Sequence, residues 1–275
     1  MSESSAIPVT ETRFRFGRNW RHFLSVLNDT RIRSAEASLR ELLGVSSLEG
    51  RTFLDIGSGS GLFSLAAMRL GAARVSSFDY DNDSVECARE LRRRYFANRE
   101  QWMIQQGSVL DEPFVRSLGQ WDVVYSWGVL HHTGHMYDAF ANVIPAVREN
   151  GQLVIAIYND QGLKSRLWWS IKRAYNRSLV ARAAIIAAYI PYSLVGAFAL
   201  DVLRGRNPII RYTNQPRGMS FLYDCLDWLG GFPFEVASRE VITSYFESRG
   251  FKLEKLISCG NKLGCNQFTF RKTSP

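Results

Sequence analysis

Along the chain the spacing of apolar residues switches repeatedly between the period of a strand and that of a helix. Thr52 to Ile56 is a short apolar run with β-branched and aromatic content, and Leu62, Leu65, Ala66, Arg69 and Leu70 then follow helical spacing. Ala73 to Phe78 is the next strand, closed by Asp79-Tyr80-Asp81. Asp83-Ser84-Val85-Glu86 sets a helix cap with an acid three residues on, opening a helix through Cys87, Leu91 and Tyr95. Trp102 to Gln106 is a third strand, Trp121 to Ser126 a fourth, Met136 to Arg148 a helix and Gln152 to Tyr158 a fifth strand. Upstream, Ile32, Ala35, Leu39, Leu42 and Leu43 give Thr30 to Leu43 the face of an amphipathic helix that stops at Gly44. Downstream, Ser238 to Arg249 is helical, and Phe251 to Ser258 and Cys265 to Arg271 form two strands around a glycine-bearing loop. Strands alternating with helices predict an α/β domain with a parallel sheet.

The regular alternation breaks once. About 80 residues, Asn159 to Ala237, intervene after the fifth strand, where a few would serve. Four units follow: an N-terminal arm and helix over 1–50, a core over 51–158, a largely helical and aromatic cap insertion over 159–237, and a closing helix and strand pair over 238–275. The cap is the candidate for acceptor selection. Trp168, Trp169, Lys172 and Tyr175 stand at helical spacing near its start, and Arg217 to Ser220 with Trp228 to Glu235 close it, either as a loop shaped around a ligand or as packed interior. Within it, Ala183 to Leu200 lacks any charge and is interrupted by Pro191 and Gly196. Three readings are open for that stretch: a buried or oligomer-forming helical hairpin, a membrane span, or a peripheral membrane contact in which Arg177, Arg182, Arg204 and Arg206 meet anionic lipid. In the arm, Arg13 to Arg21 interleaves aromatics with arginines, as a pinned surface segment or a lid.

The candidate chemistry begins where the first strand breaks into Gly57-Ser58-Gly59-Ser60-Gly61. Glycines let backbone N–H groups approach a ligand, and the next helix adds a positive N-terminus. The acid Asp55 at the loop mouth would repel a pyrophosphate and attract a cation. Asp79, at the second strand tip, is placed to hold a ribose diol. The spacing Asp55-x-Gly57-x-Gly59-x-Gly61 resembles motif I of the Rossmann-like, class I S-adenosylmethionine-dependent methyltransferases. Trp127-Gly128-Val129-Leu130-His131-His132-Thr133-Gly134 resembles the segment after the fourth strand in the group acting on ubiquinone precursors and on modified tRNA uridines. The resemblance covers Arg51 to Tyr158 and the last 35 or so residues.

That resemblance implies a doubly wound, mostly parallel seven-stranded sheet with an antiparallel last strand slotted beside the fifth. It implies S-adenosyl-L-methionine as cofactor, held by Asp55, Gly57, Ser58, Gly59, Gly61, Asp79, Tyr80, Ser108, Val109, Ser126 and Trp127. Ser108 stands where the family carries an acid near adenine. His132, and secondarily His131, are the candidate bases for a hydroxyl acceptor; as neighbours in a non-helical segment their side chains are expected to diverge, one holding backbone and the other facing substrate.

Composition narrows this only partly. The 275 residues carry 46% apolar residues and a formal net charge of +8, which suits anionic partners without choosing among them. Cys87, Cys225, Cys259 and Cys265 make no C-x-x-C pair, so neither a disulfide framework nor a zinc site is expected, and no metal is called for. Met1 to Thr12 is polar without an apolar signal core, and a cytoplasmic setting is expected. The leading expectation is O-methylation of a phenolic or other hydroxyl group on a small molecule, with a lipophilic acceptor compatible. The alternatives are an RNA-modifying methyltransferase, which lacks a recognisable RNA-binding module here, and a cofactor-binding protein without catalysis.

Overall fold

The computed structural model of the chain describes residues 20, 24–25, 27–97, 100–205, 221–262 and 264–273. Helix α1 (Asp29–Leu43) starts where the Asn28 side chain accepts from the Arg31 N–H. It ends at Gly44, whose φ of 67° lets its own N–H reach the Arg40 carbonyl. There follow β1 (Thr52–Ile56), α2 (Leu62–Arg69), β2 (Arg74–Asp79), α3 (Asn82–Tyr95), β3 (Trp102–Gln106), α4 (Glu112–Ser117) and β4 (Trp121–Trp127). A short 3-10 turn over Leu130–His132 leads to α5 (Met136–Val143) and β5 (Val147–Tyr158). The insertion supplies α6 (Leu163–Arg177), α7 (Leu179–Leu203) and α8 (Phe221–Gly230), and α9 (Arg239–Glu247), β6 (Phe251–Ile257) and β7 (Cys265–Lys272) close the fold.

The seven strands run in the order β3-β2-β1-β4-β5-β7-β6. The first five are parallel, and β7 lies antiparallel between β5 and β6, so the expected doubly wound sheet is the observed one. Strand alternation divides the core. Phe53, Val75, Val123 and Tyr125 face α1, α2 and α3, while Leu54, Ile56, Val124 and Leu153 face α4, α5 and α9. Because helices leave β1 and β4 toward opposite faces, a crevice opens beyond their carboxyl ends.

Three local expectations are corrected. The cap of α3 is Asp81, whose carboxylate accepts from the Asp83 N–H, and the helix begins at Asn82, ahead of the expected Asp83. The helix from Met136 stops at Val143, and a 3-10 turn over Ile144–Ala146 leads into β5 at Val147, because Pro145 has no N–H with which to continue the α-helix. The stretch Ala183 to Leu200 is not a hairpin: α7 passes through Pro191 and Gly196 without a turn. One proline removes a single ladder bond, which the surrounding run of alanine, isoleucine and leucine tolerates.

Candidate functional site

The loop after β1 is shaped by what stands against it. Gly57 and Gly61 have φ of 71° and 79°. A Cβ on Gly57 would lie 2.4 Å from a methyl of Val129, in the segment following β4, and one on Gly61 would lie 2.8 Å from the Ala88 backbone in α3. Both positions therefore need glycine for backbone shape and for close approach. A Cβ on Gly59 would come within 3.0 Å of the Trp20 indole, so the aromatic of the N-terminal arm stands over the loop. Arg13 to Asn19 and Arg21 lie outside the described residues.

The loop's donors are turned inward. Gly57 and Ser58 donate to the Phe78 carbonyl at 2.9 and 3.1 Å, and Gly61 donates to the Ser58 carbonyl at 2.9 Å. The Gly59 N–H donates to Asp79 at 2.9 Å, and the other Asp79 oxygen accepts from the Asp81 N–H at 2.8 Å. This alters the expectation that these N–H groups reach the ligand. A polyanion needs outward donors, whereas a crevice edged by Asp79 favours a cation and retains carboxylate lone pairs for hydroxyl groups.

Asp55 is not at the open mouth, because its carboxyl is turned beneath the loop and is 2% exposed. Its Oδ2 accepts from the Ser64 hydroxyl at 2.5 Å. Ser64 spends its one proton there, so its 2.6 Å contact with Ser77 requires Ser77 to donate, and Ser77 in turn accepts from the Trp102 indole N–H at 2.7 Å. Burial pushes the Asp55 pKa up to about 7, opposed by the Ser64 bond and reinforced by the Asp79 charge. A cation bound in the crevice would favour the ionised form.

The other expected contacts divide. Tyr80 is 59% exposed beside Asp79, while Val109 is buried and accepts from Asn142 through its carbonyl. The Ser108 hydroxyl accepts from the Leu110 N–H, closing a local turn. Ser126 is buried in the sheet and donates to the Ile56 carbonyl at 3.2 Å, tying β4 to β1. The Trp127 indole donates to Gln267 at 2.9 Å. The Ser58 hydroxyl is buried without a hydrogen-bond partner. The strand ends thus bring Gly57, Gly59, Asp79 and Tyr80 to one rim, while Ser126 and Trp127 each make a hydrogen bond to a neighbouring strand.

His131 and His132 do not diverge. The 3-10 turn sets their rings 4.4 Å apart and tilted by 60°, and the His131 ring lies 4.1 Å from that of Tyr158. The His132 Nδ1 lies 2.6 Å from the Pro233 carbonyl, which can only accept, so Nδ1 bears the proton and the neutral ring keeps its basic lone pair on Nε2. His131 is fully buried, with neither ring nitrogen in a hydrogen bond. Burial holds its pKa well below the usual value, helped by His132 and Lys172 and weakly opposed by the Ala156 backbone, so it is neutral at pH 7.

Above the pair sits Lys172 of α6, fully buried and donating to the Trp228 carbonyl, with Nζ 4.2, 4.9 and 5.7 Å from the ring centres of Trp228, Phe234 and Tyr158. The end of the insertion is strapped to the same segment. Glu235 donates its N–H to the His131 carbonyl and accepts from the Met136 N–H, and burial raises the Glu235 pKa. Of the residues expected to close the cap, Trp228 and Phe234 are thus packed interior, and Arg217 to Ser220 lie outside the described residues. Val129 lay inside the quoted segment after the fourth strand without a role assigned to it, and Tyr158 and Ser64 had no motif to mark them.

Comparison with known proteins places this geometry. Residues 54–153 match the family model described as a methyltransferase domain. The ribosomal protein L11 methyltransferase of Thermotoga maritima is 48% identical over 46 residues, 17% of this chain and 17% of that protein. Its counterpart from Pectobacterium carotovorum is 43% identical over 47 residues, 17% of this chain and 16% of that one, so the chain spans under a fifth of the length of these relatives. Magnesium protoporphyrin IX methyltransferase from Synechocystis PCC 6803, solved with bound SAH, aligns over 93% of this chain and 94% of its own at 13% identity with a TM-score of 0.55. An O-methyltransferase family protein from Burkholderia thailandensis aligns over 94% of this chain and 62% of its own at 14% identity, TM-score 0.54. At these identities the structural likeness speaks for the fold.

Proposed function

We propose that this chain, whose core is a class I methyltransferase domain of the kind that uses S-adenosyl-L-methionine, is an enzyme that O-methylates a phenolic or other hydroxyl group on a small molecule. The observation that carries the reading is the junction of two loops. Val129 packs on Gly57, so the segment bearing His131 and His132 is held directly against the cofactor loop. Bound there, the cofactor supplies an electrophilic methyl group on a sulfonium. The acidic rim at Asp79, with the loop's N–H groups turned inward, suits such a cation and a ribose diol better than a dinucleotide pyrophosphate.

His132 is the candidate base. Anchored through Nδ1 on Pro233, it has Nε2 as the atom able to take the acceptor hydroxyl proton as the new O–CH3 bond forms and the S–CH3 bond breaks. His131, neutral and enclosed, fixes the pair by packing. The cap helices supply an apolar and aromatic wall, which fits a lipophilic acceptor and excludes water from the transfer. The similarity of Trp127 to Gly134 to the ubiquinone-precursor group supports a hydroxyl acceptor. Isothermal titration tests the cofactor: S-adenosylhomocysteine should bind and NAD should not, and the reverse would end the reading. Turnover of a phenolic panel with labelled S-adenosylmethionine tests the acceptor class.

A further inference from the structure

From Gln161 to Leu200 the chain has Lys164, Arg166, Lys172, Arg173, Arg177 and Arg182 and no aspartate or glutamate. That stretch forms α6 and most of α7, and α7 reaches a mean hydropathy of 1.9 with none of its apolar window buried in the protein. One side of α7, from Ala181 through Ile185 and Tyr189 to Ser193, is half-buried against the rest of the cap. Val180, Val195 and Phe198 lie away from that side and are in the open, Tyr192 and Leu203 are exposed as well, and α6 adds Leu163, Leu167 and Trp169. A water-soluble surface does not ordinarily expose so many large apolar side chains on one helix. Its all-round apolarity has a physical sense if one side packs on the cap and the other enters a second apolar phase.

The helix is long enough to cross a bilayer, about 37 Å at 1.5 Å per residue, but the connections on either side of it forbid that. Helices α6 and α8, which flank α7 in sequence, are joined side by side by Lys172 donating to the Trp228 carbonyl and Asn176 donating to the Gly230 carbonyl. Residues 204–220 include Arg204, Arg206, Arg211 and Arg217 with Pro208 and Pro216, a composition unsuited to hydrocarbon. A second copy is disfavoured for a different reason. A two-fold interface sets the same patch against itself, and here it would bring the exposed Lys164, Arg166, Arg177 and Arg204 towards their own images.

We propose that the outer face of α6 and α7 docks flat on an anionic lipid bilayer, with Val195 and Phe198 entering the acyl boundary and the exposed Lys164, Arg166, Arg177 and Arg204 meeting lipid phosphates. This surface backs the cap that also covers the histidine pair, so the site would sit close to acceptors dissolved in the membrane. The inference needs no cofactor and stands or falls apart from the reading of the reaction.

The test is flotation of the full chain with phosphatidylcholine vesicles, with and without about a third phosphatidylglycerol. Binding should require the anionic lipid and weaken as salt is raised. Val195→Asp with Phe198→Asp should lower the bound fraction about tenfold or more at unchanged melting temperature, since both side chains are exposed. Lys164→Glu with Arg166→Glu, which leaves the apolar face intact, should lower binding to anionic vesicles alone. Absence of binding to either vesicle, equal binding to both, or a dimer in sedimentation that Val195→Asp with Phe198→Asp dissociates would each overturn the proposal.

Discussion

Replacing Asp55 by asparagine should make the free protein more stable at neutral pH while impairing its function. The carboxyl is 2% exposed and its pKa is raised from 3.8 to about 7, chiefly by burial. Between those values the unfolded chain has lost the proton and the folded chain retains it. Folded protein therefore binds more protons, and its stability falls as pH rises through that window, by about 1.4 kcal/mol per pH unit and about 4 kcal/mol in all. Above about pH 7 the loss is complete, and below about pH 4 it is absent. Asparagine keeps an acceptor for Ser64 without a charge, so the difference between variant and parent isolates this one group from every other titration. Melting temperatures measured from pH 4 to 8 should nearly coincide at the acid end and separate in favour of Asp55→Asn by on the order of 10 °C at the neutral end. The same charge should serve the cation, so the parent's affinity for S-adenosylmethionine should rise with pH through about 7 while the variant's stays low and flat. Parallel melting curves for the two proteins would show that Asp55 ionises normally and would remove the argument.

Asp79→Ala should weaken S-adenosylhomocysteine binding by about 1.5–3 kcal/mol in isothermal titration, the range for a charge-assisted hydrogen bond, and unchanged affinity would move the ribose contact elsewhere. Gly57→Ala should destabilise the fold by about 1–3 kcal/mol through contact with Val129. Combining it with Val129→Ala should recover part of that in chemical denaturation, whereas additive losses would deny the contact. His132→Ala should lower kcat about 10²-fold or more with cofactor affinity nearly unchanged, while His131→Phe, which keeps an aromatic ring in the enclosed position, should retain most activity; the opposite pattern would exchange their roles. Deleting 163–230 with a short linker should abolish turnover yet spare S-adenosylhomocysteine binding if the core folds, and loss of binding from a folded core would show that the cap is part of the cofactor site.

Local chemistry is legible along the chain because it is written in neighbours. Glycines at 57, 59 and 61, the switch of apolar period on either side of them, and the stop at Gly44 are short-range features, and from them the alternating strands and helices follow. The sheet order, with β7 between β5 and β6, came through the resemblance of these motifs to a family and not from spacing. What only the tertiary structure decided depends on partners far apart in sequence. Asp55 is turned under its loop, where Ser64 donates to it and is itself held by a relay through Ser77 and Trp102 from two further elements. The histidines sit side by side beneath Lys172 because the insertion folds back and offers the Pro233 carbonyl about 100 residues later. The Trp127 indole, at the end of β4, donates its N–H to Gln267 because β7 stands nearby, a partner 140 residues away that spacing does not reveal. The apolar helix α7 was legible as apolar, but whether it is core or surface is a matter of what packs on it, and hydropathy contains no record of that.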